Sequence, residues 1–241
     1  MSVTSARPEL RPSIRLLDGF ALACDHVEVH VIPVARRLLA LLALRDAPVS
    51  RAVVAAQLWP DTTARRAAAS LRSTLWRLAT PAGPLVSTTD DALALVPHVE
   101  VDFHRACRLA ATVAAPDHVP EPQAVALLKA DLLPGWDQTW LVAERDWWHQ
   151  ARLRALEALS ARFRSTGDRH RAHQAALAAV QTDPLRESAH RTLVELHLAD
   201  GNPAQAVRQY TSYRVRLRTE LGMEPSAEIR RLVGPLLGGA R

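Results

Sequence analysis

The stretch SRAVVAAQLWPDTTARRAAASLRSTLWRLAT, residues 50–80, decides how this chain is read. It divides into two helical segments around a tight, polar turn that contains a proline. In the second segment Ala64, Ala67, Ala68, Leu71, Leu75 and Leu78 recur at helical spacing and form one apolar stripe. At about 100° per residue, Arg65, Arg66, Ala69, Ser73, Trp76, Arg77 and Thr80 fall on the other side, with Arg72 at the edge. No Asp or Glu occurs from 62 to 80, so the outward face is uniformly cationic. One core face and one face of arginines and small hydroxyls is what an element seated in a DNA major groove requires. Guanidinium groups suit guanine edges and phosphates, and small side chains permit close approach. The charge alone is weak, since an arginine-bearing amphipathic helix is ordinarily a solvated surface. The arrangement carries more: a second amphipathic helix precedes it, and a strand-like pair over 85–96 follows as a wing.

Upstream, residues 1–12 are polar, contain Pro8 and Pro12, and read as a flexible arm. SIRLLD, FALACD and VEVHVI, within 13–32, read as strands, with Asp18-Gly19 as a turn signal. In VEVHVI, Val27, Val29 and Val31 alternate with Glu28, His30 and Ile32 as in a half-buried strand, which makes His30 a surface residue. Pro33 suits the first turn of a helix, and VARRLLALLALR behind it is rich in leucine on most sides, the mark of a buried helix. Ala47-Pro48 break that helix, and Ser50 is placed to cap RAVVAAQLW. Pro81, Gly83 and Pro84 close the cationic helix, and LVSTTDDALALV supplies a hairpin. Three strands, three helices and a hairpin make a winged helix-turn-helix with an N-terminal sheet, of the OmpR type.

The run LWPDTTARRAAASLRSTLWRL resembles the matching segment of SARP-type transcriptional regulators, and VDFHRACRLA resembles the opening of that family's second domain. Such proteins join an OmpR-like winged helix to a helical bacterial transcriptional activation domain, and the resemblance covers about residues 13–237. It implies double-stranded DNA as partner, bound at direct repeats near a promoter's −35 region. It also implies two protomers in tandem, and contacts with RNA polymerase including its sigma factor. One departure stands out. The wing reads Thr88-Thr89-Asp90-Asp91-Ala92-Leu93, without the Gly-Tyr common at its tip, and two aspartates there repel phosphate.

Residues 102–237 are helical in pattern and hold an internal repeat. Leu159, Gly167, Ala172 and Ala176 recur thirty-four positions later as Leu193, Gly201, Ala206 and Tyr210, the tetratricopeptide period. Each glycine would turn a helical hairpin, and Pro184 falls at the repeat's closing proline. Between 136 and 148 lie four of the six tryptophans: Trp136, Trp140, Trp147 and Trp148. They read as fillers of junctions between helices or domains; the other reading is an exposed patch for a protein partner.

The 241 residues, 48% of them hydrophobic, exclude a disordered chain. Lys129 is the sole lysine, so the arginine excess and the modest net charge of +5 permit a nucleic-acid partner without demanding one. Cys24 and Cys107 are isolated and read as reduced thiols. Neither an export signal nor a membrane-length apolar run is present, which points to a cytoplasmic protein. None of the nine glycines sits in a phosphate-cradling loop, and there is no nucleophile elbow and no H-E-x-x-H. The pairs His104/Cys107 and His170/His173 lack further ligands nearby. No enzyme activity, cofactor or metal is expected.

The expectation is therefore a mainly α protein: an N-terminal winged helix-turn-helix (α+β), then an all-α tetratricopeptide-like domain. The arm occupies 1–12, the DNA-binding domain 13–101, the helical domain 102–237 and a tail 238–241. Arg66, Ser73 and Arg77 are the expected groove-facing contacts, and Arg65, Arg72 and Thr80 the expected reach to flanking phosphates. Trp76 either touches DNA or packs beneath the wing. The alternatives to a DNA-binding regulator are a protein–protein adaptor with a degenerate winged helix, or a ligand-responsive signalling module.

Overall fold

The computed structural model describes residues 11–45, 47–78, 83–115, 121 and 123–237. Its described residues form two compact units. The first holds residues up to Ala106 together with Ala130–Asp146; the second holds Cys107–Lys129 and Trp147 onward.

In the first unit β1 (Pro12–Arg15), β2 (Ala21–Cys24), β3 (Val27–Glu28) and β7 (Glu100–Val101) form a sheet in the order β3-β2-β1-β7. Only the β1–β7 pairing is parallel. The turn after β1 contains Asp18 and Gly19, both at positive φ, as the Asp-Gly signal predicted. Pro12 is buried in β1, and the Arg11 and Asp25 backbones bond each other, so the arm does not extend to residue 12. The third strand is shorter than expected: only Val27 and Glu28 pair, and Val27 is 69% exposed. Asp25 and His26 both take positive φ in a two-residue hairpin loop, and Pro33 already begins a helix, leaving a short edge with no face to bury. His30 lies on the surface.

Helix α1 (Pro33–Ala43) has its proline in the first turn and buries Ala35 and every residue from 38 to 43, as an all-round apolar helix must. It packs on α2 (Arg51–Leu58), on α3 (Ala64–Arg77) and on β6 (Ala92–Leu95). A small sheet in the order β4-β6-β5 completes the layer, with β4 at Val49–Ser50 and β5 at Val86–Thr88. Neither β4 nor β7 was anticipated; each has two residues, too few for a periodic signal. Ser50 does precede α2, but its side chain makes no capping bond, because Ser50 is paired in β4 and the Arg51 amide donates to the Asp91 carbonyl at 2.8 Å.

The compact units do not divide at 101/102. The Asp102 carboxylate, at the start of α4 (Asp102–Thr112), accepts the Leu16 and Leu17 amides at 2.8 and 3.1 Å. The Leu133 amide donates to the Leu16 carbonyl and the Asp18 amide to the Asp131 carbonyl, tying the segment DLLPGW to the end of β1. Arg145 gathers that loop around its guanidinium, donating to the Leu132, Leu133 and Trp136 carbonyls.

The second unit is helical: the remainder of α4, α5 (Ala124–Lys129), most of α6 (Thr139–Ser165), α7 (Arg169–Thr182), α8 (Glu187–Ala199), α9 (Pro203–Leu221) and α10 (Ala227–Leu237). The thirty-four-residue repeat is structural. Gly167 and Gly201, at φ 78° and 71°, turn the α6–α7 and α8–α9 hairpins. Ala172 and Ala206 are wholly buried where the paired helices meet, and Leu159, Ala176, Leu193 and Tyr210 are buried with them. Helix α10 closes the array, setting Ile229 and Val233 against Val194, Tyr213 and Leu217.

The four tryptophans divide. Trp140 and Trp148 are buried and Trp136 is half-buried beside Phe20, with ring centroids 6.0 Å apart, as fillers should be. Trp147 is 50% exposed.

Candidate nucleic-acid interface

Helix α3 begins at Thr63, whose hydroxyl accepts the Arg66 amide, and it turns Ala67, Leu71 and Thr74 into the core. Two positions differ from the expected stripe. Ala64 is exposed, since the first turn of α3 stands clear of its neighbours, and Thr74 is buried in its stead. Thr74 satisfies its hydroxyl on the Ser70 carbonyl at 2.9 Å, which lets a polar residue serve as core. Leu75 is half-buried and Leu78, just beyond the helix, is buried.

The opposite face is open. Arg65, Arg66, Arg72, Ser73, Trp76 and Arg77 are all exposed; Thr80 lies outside the described residues. By the helical pitch of about 100° per residue these fall in two rows. Arg65, Ala69, Arg72 and Trp76 share the centre of the face, opposite the buried Ala67, Leu71 and Thr74, and Arg66, Ser73 and Arg77 run along one side of it. Trp76 is 84% exposed, so it does not pack beneath the wing.

Among the described residues, none of Arg65, Arg66, Arg72 and Arg77 has an acidic partner within ion-pair distance. The second unit uses arginine differently. Arg164 pairs with Glu195 at 2.7 Å, Arg169 with Asp200 at 3.2 Å and Arg214 with Glu224 at 3.2 Å. Arg186 grips Glu157 through two bonds of 2.8 Å. Composition cannot separate these two populations of arginine; geometry does.

The wing hairpin joins β5 to β6 through Thr89, Asp90 and Asp91, all exposed. The Thr89 hydroxyl accepts the Ala92 amide at 3.0 Å and holds the turn closed. Asp90 and Asp91 stand at one end of a cavity of about 590 Å³ between α2 and α3. Its walls are alanines from both helices, among them Ala52, Ala56, Ala64 and Ala68, with Arg51 and Arg72 at its rim. No residue pattern announces it, because alanine at helical spacing reads as packing rather than as space.

One histidine of each pair is engaged within the fold. His104 Nε2 bonds the Ala43 carbonyl at 2.7 Å, and His173 Nε2 bonds Asp200 at 2.8 Å. Among the described residues no group of three or more His, Cys, Asp or Glu side chains is placed to hold a metal ion.

Residues 101–237 match the family described as the bacterial transcriptional activator domain. The chain belongs to that family. It is a SARP-type regulator, and its family is one of transcriptional activators, generally without enzyme activity. Among solved structures it is similar to Mycobacterium tuberculosis EmbR in complex with a low-affinity phosphopeptide, with a TM-score of 0.69 and 21% identity. The match covers 95% of this chain and 65% of that one, so the chain spans a little under two thirds of EmbR's length. At that identity the likeness is one of fold: a small N-terminal strand region followed by a helical part. No curated protein sequence matches the chain. Among the described residues no helix is long and apolar enough to cross a membrane.

Proposed function

We propose that this regulator binds promoter DNA in a sequence-specific manner through α3 and activates transcription from the cytoplasm. Residues 13–101 then serve as the DNA-binding domain and 102–237 as the activation domain. Arg66, Ser73 and Arg77 face the base edges of the major groove, where paired N–H donors read guanine. Arg65 and Arg72 reach the flanking phosphates, and Thr80 extends that reach beyond the helix. The family resemblance supplies the rest: two protomers in tandem on direct repeats, and a helical domain that contacts RNA polymerase and its sigma factor.

One observation carries the reading. Four guanidinium groups stand on one exposed helix face with no described acid to neutralise them, while the arginines of the helical repeats are widely ion-paired. A duplex supplies the missing anions.

The test is enrichment of genomic fragments on the purified chain, beside an Arg66→Ala/Arg77→Ala double variant, at two salt concentrations. The expected result is a promoter with spaced direct repeats, enriched by the wild type and lost in the variant. At the recovered site each arginine that reads a base pair is worth about 1–3 kcal/mol, with a smaller loss on unrelated DNA. Failure of the wild type to enrich any fragment, even at low salt, would overturn the proposal.

A further inference from the structure

We propose that Trp76 reads the C5-methyl group of a thymine, so that the operator of this regulator contains a thymine recognised by apolar contact rather than by hydrogen bonds. The inference rests on the DNA-binding role proposed for α3 and adds a base preference to it.

Trp76 is the most exposed of the large apolar side chains, at 84%, and no ring contact or hydrogen bond engages it among the described residues. An indole left in water on a folded helix forgoes the burial that ordinarily makes tryptophan an anchor. Its neighbours one turn back are Arg72 and Ser73, and Arg77 follows it. All three are exposed, so whatever covers the ring also meets cations and is itself anionic. A duplex fits that description, and an apolar protein surface does not.

The position on the helix then selects the atom. Trp76 lies in the row with Arg65 and Arg72, directly opposite the buried Ala67, Leu71 and Thr74, with Arg66, Ser73 and Arg77 along one side. A side chain there projects farthest from the core, toward the base edges on the floor of a groove that holds the helix. Of the groups exposed in the major groove, the thymine methyl is the apolar one. The indole can only donate through one N–H, so the flat apolar body of the ring is what it offers a base pair.

The experiment uses the full chain and the duplex recovered by genomic selection. Each thymine is replaced singly by uracil, which removes one methyl and leaves the hydrogen-bonding edge intact, and affinity is read by fluorescence anisotropy. One thymine per binding repeat should lose about fourfold in affinity as uracil, the worth of one buried methyl-sized group. Trp76→Ala should bind the thymine and uracil duplexes equally, while Trp76→Phe should keep part of the difference. Because the side chain is exposed, both variants should retain the wild-type circular dichroism spectrum. Insensitivity to every thymine replacement, or a penalty that persists in Trp76→Ala, overturns the inference while leaving DNA binding by α3 intact. Absence of any enriched duplex overturns both.

Discussion

Replacing Asp102 tests how the first residue of α4 holds the end of β1. Its two carboxylate oxygens accept the amides of Leu16 and Leu17, more than eighty residues away in sequence, and both leucines are buried. Asp102→Ala leaves two buried N–H groups without an acceptor, at about 1–3 kcal/mol each. Relief of the buried carboxylate returns part of that, for a net loss of about 2–4 kcal/mol. At about 2–4 °C per kcal/mol for a chain of this size, the midpoint should fall by about 5–15 °C. Asp102→Asn keeps one acceptor and should lose about half as much. The pH dependence sharpens the test. Burial raises the Asp102 pKa above 3.8, outweighing the amide bonds from Leu16, Leu17 and Phe103 and the charge of Arg15. The folded chain therefore holds this proton longer than the unfolded one. Its contribution to stability is full below 3.8 and declines as pH rises through the folded value. Asn does not titrate, so the gap between wild type and Asp102→Asn should narrow from acid toward neutral pH. Thermal melts followed by far-UV circular dichroism across that range decide the matter. A gap that widens with pH would mean that the amide bonds outweigh burial, and would refute the reasoning.

Glu157→Gln should destabilise the helical unit by about 1–2 kcal/mol, by weakening a carboxylate that accepts two bonds from Arg186 and one from Ser188. Burial alone would raise the Glu157 pKa, but those bonds and the charges of Arg186 and Arg191 hold it below 4.5. The wild-type advantage should thus be present above pH 4.5 and vanish as pH falls through the folded value; denaturant titrations at several pH values measure it. Gly201→Ala should cost about 1–2 kcal/mol through backbone strain alone, since φ is 71° and a Cβ there meets nothing within 4 Å; a calorimetric midpoint unchanged from wild type would contradict this. Asp90→Asn removes an exposed wing charge and should tighten binding to every duplex by about twofold, more so at low salt. Titrations on operator and random DNA would expose a sequence-dependent effect, which would place Asp90 against a base instead.

What could be read from the residues was whatever a period or a turn residue enforces. The α3 face, the leucine-filled α1 and the two glycine-turned hairpins each follow from spacing, because spacing decides which side chains point inward. The misreadings come from hydrogen bonds and strand ends that side-chain periodicity does not record. Thr74 is core because its hydroxyl finds the Ser70 carbonyl. Val27 is exposed because its strand ends after two residues, although the valine alternation runs on for six. β7 exists because Val101 pairs with Ile14 across the length of the unit. Trp76 was legible as lying on the arginine side of α3 but not as exposed, since a tryptophan there could equally have turned under the wing.

Helix α3 also breaks a local rule, and the way it does so bears on function. The first turn of a helix presents unpaired amides and a partial positive charge, so acids stabilise it and cations oppose it by about 0.3–1 kcal/mol each. Helices α4, α8 and α10 follow the rule with Asp102, Glu187 and Glu228. Helix α3 has no acid in its first turn and carries Arg65 and Arg66 there, with only the Thr63 hydroxyl as a cap. Helix α7 also opens on Arg169 and Arg171, but its Asp168 cap bonds the Arg171 backbone and side chain, which neutralises the end. Helix α3 lacks that remedy, and its stability comes from packing Ala67, Leu71 and Thr74 against its neighbours. A cationic helix start without a counter-ion is a cost in the free protein. A phosphate at that end would be drawn by the amides and the arginines together, turning the same charges from a cost into binding free energy.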